Sequence, residues 1–157
     1  MDALEPFKVK APIQEPEVLP YLKRANENTA IDIQLEVWLK PKDIDEIKIC
    51  TSNFKYMYWT FAQMLTHHMS NGCNLQPGDL LASGTCSGPT DDSRACLAEL
   101  SVRGTADITL PNGEVRRYLA DGDEVIFRAR AARAGRVPIG FGECRGRIEP
   151  AVPWPDG

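Results

Sequence analysis

Between residues 31 and 39 the chain alternates strictly, with Ile31, Ile33, Leu35, Val37 and Leu39 on one side and Asp32, Gln34, Glu36 and Trp38 on the other. Successive side chains of a strand point to opposite faces, so a period of two predicts a strand with one face buried. Residues 47–50 are placed to pair with it after the turn-prone Lys40-Pro41-Lys42-Asp43. Residues 97–103 alternate again, setting Ala98, Leu100 and Val102 against Leu97, Glu99 and Ser101. Asn112-Gly113 supplies the positive φ angles of a tight hairpin within residues 108–119, and Asp121-Gly122 supplies a second turn. Residues 124–131 and 139–148 read as the last strands, the second carrying Gly140, Gly142 and Gly146 as bulge sites.

Only one segment has helical spacing. Met57, Phe61, Met64, Leu65 and His68 recur at that period over residues 56–69, with Ser52 or Asn53 as the opening cap and Asn71-Gly72 as the stop. A short strand is expected at residues 80–83, ending at Gly84-Thr85. The tally is mainly β with one helix, an α+β chain built on an antiparallel, curled sheet or sandwich and not on βαβ repeats. Four prolines among the first twenty residues (Pro6, Pro12, Pro16, Pro20) predict an extended, irregular front, and Met1 reads as a point inside a larger fold.

At 157 residues the chain has room for one core, and 43% hydrophobic against 25% charged residues is the balance of a globular domain. A net charge of −4 is the wrong footprint for nucleic acid. The basic cluster Arg128, Arg130, Arg133 and Arg136 reads as a solvated strand edge and loop. Five cysteines, with no C-x-x-C pair, read as reduced thiols, mostly small buried hydrophobes. No apolar stretch reaches the length of about 18 residues that spans a bilayer, and no leader is visible, so the cytoplasm is the expected location.

Several groups invite a chemical reading. Gly140 to Gly146 lacks the spacing of a dinucleotide loop. His67 and His68 are adjacent on the predicted helix and diverge by about 100°, so they cannot share a metal ion as an i, i+4 pair would. Asp121, Asp123 and Glu124 crowd a turn and are read as solvated. Gly84 permits close backbone approach to a ligand, and the Thr85 hydroxyl at a strand end can bond a carboxylate or keto oxygen. Glu99, sharing a face with Leu97, needs a partner: a structural cation or a histidine that it orients.

Three strings then narrow the field: residues 52–60 (SNFKYMYWT), residues 65–68 (LTHH) with 71–75 (NGCNL), and residues 77–85 (PGDLLASGT) with Ser87-Gly88-Pro89. With Met1 to Leu4, Asp121-Gly122-Asp123-Glu124-Val125 and Ile139 to Gly142, they resemble the C-terminal region of the fumarylacetoacetate hydrolase family over residues 1–151, leaving 152–157 as a tail. The resemblance implies a mixed, curled β-roll, incomplete at its N-terminal side, and a homodimer. It implies hydrolysis of a carbon-carbon bond in a diketo acid, giving fumarate and acetoacetate, with Mg or Ca as cofactor. By position Thr85, with Gly84 beside it, resembles the substrate-binding threonine, and Glu99 resembles the glutamate that orients the catalytic histidine.

The family's metal ligands, catalytic histidine, and substrate lysine and arginine all precede the segment corresponding to Met1, so no metal ligand is expected in this sequence. His67 and His68 lie in the wrong place to substitute. The loop at residues 128–138 departs from the family pattern by being rich in arginine and alanine. The expectation is a fragment, inactive alone, of a hydrolase. The alternative is a non-catalytic relic, or a subunit that completes a site with a separate N-terminal chain.

Overall fold

The computed structural model describes residues 2–23 and 29–154; Met1 and the tail residues 155–157 lie outside the described residues. Strand β1 (Lys8–Lys10) pairs antiparallel with β2 (Thr29–Ile31). Strands β3 (Gln34–Lys40) and β4 (Ile47–Asn53) follow, then helices α1 (Phe61–Met69) and α2 (Leu97–Leu100). The small hairpin β5 (Ile108–Thr109) and β6 (Val115–Arg116) leads to the long strands β7 (Glu124–Ala131) and β8 (Ile139–Arg147). The central sheet runs β4-β3-β7-β8, and every strand pairing among the described residues is antiparallel. The chain is therefore mostly β with few helices, and none of its three sheets closes on itself.

The alternation at residues 31–39 is divided between two sheets. Asp32 N–H donates to Phe7 C=O at 2.9 Å and Ile33 N–H to Ile31 C=O at 3.1 Å, breaking the ladder between β2 and β3. Ile31 and Ile33 accordingly join Phe7 and Ala131 in the core, with Leu4, Leu35, Phe54 and Phe61 packed around them. Phe54 stacks on Phe61 with ring centroids 4.7 Å apart. Strand β4 pairs with β3 as expected, with a register shift at Val37/Trp38.

The expected single helix is resolved into two capped pieces. Asn53 accepts from Lys55 N–H at 2.9 Å and opens only a 3-10 turn at Phe54–Tyr56. The α-helix starts at Thr60, whose hydroxyl accepts from Gln63 N–H at 3.2 Å while the Gln63 side chain accepts from Thr60 N–H at 3.0 Å. This reciprocal box satisfies two amides that the first turn leaves unpaired. Gln63 is buried and also exchanges amide hydrogen bonds with Gln14, both at 2.8 Å, tying the proline-rich front to the helix. That front is less irregular than its prolines predict, since it holds β1 and 3-10 turns at Asp2–Phe7 and Pro20–Leu22.

Several expectations need correction. Residues 80–83 form no strand, and Leu80 is 96% exposed. Residues 97–103 are not a strand either: one helical turn, α2, is followed by left-handed φ angles at Val102, Arg103 and Gly104. The loop around Asn112-Gly113 spans residues 110–114, longer than the two-residue turn the dipeptide favours, because Leu110 N–H and C=O close it onto Glu114 and Gly113.

Asp123 is not solvated but fully buried, gripped by Arg116 through two N–H···O bonds of 3.0 and 3.1 Å and by Ala120 N–H at 2.9 Å. Glu124 is buried beside it and pairs with Arg145 and Arg147. Arg128 is no free edge residue: its guanidinium bridges Glu46 and Glu143 and lies 4.9 Å over the Trp38 ring. All five cysteines are free thiols, but only Cys50 and Cys86 are buried, while Cys73 and Cys144 are exposed.

Candidate functional site

The pleat gives the central sheet two unlike faces. Leu35, Ala129 and Ser52 fall on one row across β3, β7 and β4, and Val37 with Phe127 on a neighbouring row of the same face. Over this face passes the extended segment that carries Gly84 and Thr85, fastened where the Ser52 hydroxyl donates to Cys86 C=O at 2.6 Å and the Cys86 thiol donates to Asn53 C=O at 3.5 Å. Sheet and segment enclose a groove of about 380 Å³, lined by Leu35, Val37, Phe127 and Ala129 from the sheet and by Gly84, Thr85 and Ala95 from the loops. Cys50, Cys86 and Cys144 also face it.

Gly84 has φ +78°, and an added Cβ there would meet nothing within 4 Å. Its requirement is conformational, a left-handed turn that presents the next residue to the groove. Thr85 is exposed and its hydroxyl has no hydrogen-bond partner among the described residues, so it is free to donate or accept.

Glu99 is not part of the groove lining. It occupies the first turn of α2, where Oε2 accepts from the Ser87 hydroxyl at 2.5 Å and from Ala95 N–H at 3.2 Å. Ala95 N–H is shared, donating also to the Ser87 oxygen at 3.1 Å. The Ser87 hydroxyl bond, with weaker support from the Ala95 and Cys96 donors, outweighs desolvation and holds the Glu99 carboxyl below its ordinary value. Gly84 and Thr85 thus stand together in the groove wall, and Glu99 stands one residue behind it, bonded to the wall residue Ala95.

The charge of Glu99 reaches that wall. Burial pushes the Cys50 thiol up, and the negative charges of Asp92 and Glu99 push it further. Burial raises Cys86 too, against an opposing hydrogen bond from Ser52. Both buried thiols stay protonated and are poor nucleophiles. The arrangement offers a hydroxyl to bond an incoming oxygen, an apolar floor, and an ionised carboxylate able to accept a further N–H.

The two histidines turn away from each other, as adjacent helical positions must. His67 Nδ1 meets the Tyr21 hydroxyl at 2.9 Å, and His68 Nε2 meets the Cys73 sulfur at 3.5 Å. Among the described residues no group of three or more His, Cys, Asp or Glu side chains could hold a metal ion, so the residues described do not fit the divalent cation that the family resemblance implies. Ser87, the closest partner of Glu99, is not singled out as a site residue by the sequence, where Ser87-Gly88-Pro89 contributes only a turn signature and part of the family resemblance.

The chain thus sets a hydroxyl-bearing groove on an antiparallel β scaffold, with a carboxylate behind the groove wall. The family described as fumarylacetoacetate (FAA) hydrolase C-terminal matches residues 8–149, and the chain belongs to that family. It is 54% identical over 153 residues to the fumarylacetoacetase of Bos taurus and 52% identical over 153 residues to that of Homo sapiens, covering 97% of this chain in each case. It is 51% identical over 154 residues to the fumarylacetoacetase of Oryza sativa subsp. japonica, covering 98% of this chain. The chain spans only 36%, 36% and 35% of the length of these relatives, respectively.

Proposed function

We propose that this chain forms the C-terminal part of the catalytic domain of a fumarylacetoacetase, which hydrolyses the carbon-carbon bond of 4-fumarylacetoacetate to fumarate and acetoacetate in tyrosine and phenylalanine catabolism. The observation that carries the reading is the free Thr85 hydroxyl in the groove wall with the Glu99 carboxylate held ionised one residue behind it. Thr85, presented by Gly84, bonds an oxygen of the diketo acid, and the apolar floor excludes water from the unreactive stretch of the substrate. Glu99 accepts the N–H of an imidazole supplied from outside these residues, selecting the tautomer that takes a proton from water and stabilising the imidazolium.

In this reading residues 1–151 belong to one curled β-roll, 152–157 are a tail, and the working enzyme is a cytoplasmic homodimer. The Mg or Ca ion that the family resemblance implies would supply Lewis-acid polarisation of a substrate carbonyl, and no described residue cluster of this chain would hold it. The isolated chain is read as inactive, because neither histidine faces the groove and no described cluster fits a metal.

The direct test replaces the matched C-terminal segment of the Bos taurus relative with this chain. The chimera is expected to release fumarate and acetoacetate, and Glu99→Gln in it to lower kcat by about 10²–10⁴-fold, the range of general-base assistance. Thr85→Ala should act mainly on KM. Full activity in the Glu99→Gln chimera would sink the assignment, and turnover by the isolated chain would sink the claim that it is inactive.

A further inference from the structure

On the other face of the sheet, Asn53, Gln34 and Arg130 stand side by side in register across β4, β3 and β7. They border a second cavity of about 270 Å³, whose wall also includes Asp32, Thr51, Tyr56, Thr90 and Ser93. Five arginines lie on strands, and four of them, Arg116, Arg128, Arg145 and Arg147, are ion-paired. Arg130 is the exception, with no ion pair or hydrogen bond among the described residues. It faces a cavity instead.

The carboxylate in the cavity wall does not claim that guanidinium. Asp32 Oδ1 accepts from Asn53 Nδ2 at 2.6 Å and has the Lys55 ammonium at 3.9 Å, so its charge is already answered. The Lys55 ammonium also lies 5.6 Å over the Tyr56 ring. With Lys55 set against Asp32, Arg130 leaves one uncompensated positive charge. The hydroxyls of Tyr56 and Thr51 line the same space and have no hydrogen-bond partner among the described residues. Thr90 and Ser93 are spent on each other, at 3.1 Å between their hydroxyl oxygens.

We propose that this cavity is a binding site for a small carboxylate anion, held by the Arg130 guanidinium and the hydroxyls of Tyr56 and Thr51. A guanidinium presents a planar fork of N–H groups that matches the two oxygens of a carboxylate. A single free positive charge answers a single negative one. A doubly charged phosphate would meet Asp32 with only half its charge balanced. The cavity meets the groove that carries Thr85 only at Ser52, which borders both, and its existence does not depend on the proposed reaction.

The test uses the chain itself. ¹⁵N-labelled protein is titrated at neutral pH and matched ionic strength with sodium acetate, with sodium phosphate, and with sodium chloride as the control. Acetate should produce saturable shifts at Gln34, Thr51, Tyr56 and the Arg130 Nε–H, while chloride produces none. Arg130→Gln, at an exposed and unpaired position, should leave the spectrum dispersed and weaken acetate binding about tenfold or more, as loss of a charge-assisted bond implies. Tyr56→Phe should weaken it less. Linear, unsaturated shifts, equal binding by Arg130→Gln, or tighter binding of phosphate than of acetate would each overturn the proposal.

Discussion

Ser87 and Glu99 are twelve positions apart, yet that one hydroxyl is the main cause of the lowered Glu99 pKa. Because the fold lowers the Glu99 pKa, its contribution to stability is complete above the ordinary carboxylate range and is lost as pH falls through the folded value. Ser87→Ala removes the largest cause of the shift, so the Glu99 midpoint should move up towards the ordinary value. Carboxyl ¹³C shifts followed against pH measure this, and an unmoved midpoint would show that Ala95 and Cys96 hold the charge alone. Thr85 and Glu99 could be singled out in the sequence by type and resemblance, but the clasp around Glu99 could not. No spacing rule links a serine in a turn to a glutamate in a later helix, because the contact exists only once the chain has folded back. The burial of Asp123 was hidden for the same reason: three acids near a glycine look solvated until Arg116 arrives from a preceding strand.

At the level of elements, the long strands were readable because burial of one sheet face imposes a period of two on whatever sequence occupies it. Strand β7 occupies the expected residues 124–131, and β8 falls within one residue of its expected end. The failures lie where a run of alternation is short. Leu97 to Val102 fits one turn of helix as well as it fits a strand, and the acidic Glu99 in the first turn favours the helix. The cost appears just downstream, where Val102 adopts φ 49° and Arg103 φ 58° before Gly104. A β-branched residue is strained in that left-handed region by about 1–2 kcal/mol. Val102 is 53% exposed, so little packing is lost on replacing it. Val102→Asn should therefore raise stability by about 1 kcal/mol, seen as a Tm a few degrees higher. A lower Tm would mean that the valine's contacts outweigh its backbone strain.

Across the whole molecule, the sheet ends on β8, a nine-residue strand of which all but Ile139 are exposed. Phe141 on this strand and Phe127 on the neighbouring β7 are each 51% exposed. Unpaired backbone next to exposed aromatics is a template for another strand, and a lysine on such an edge blocks pairing. Sedimentation velocity should accordingly show concentration-dependent association of the chain, diminished in Phe141→Lys; a monodisperse chain at all concentrations would contradict this. The opposite face of the same sheet has another consequence. The Trp38 indole donates to Glu36 at 3.1 Å and lies beneath Arg128 and Lys48, whereas Trp59 is 40% and Trp154 89% exposed. Trp38 is thus the least exposed of the three tryptophans, and its emission should shift to longer wavelength when the central strands part. The protein carries its own optical gauge of whether the central strands remain assembled.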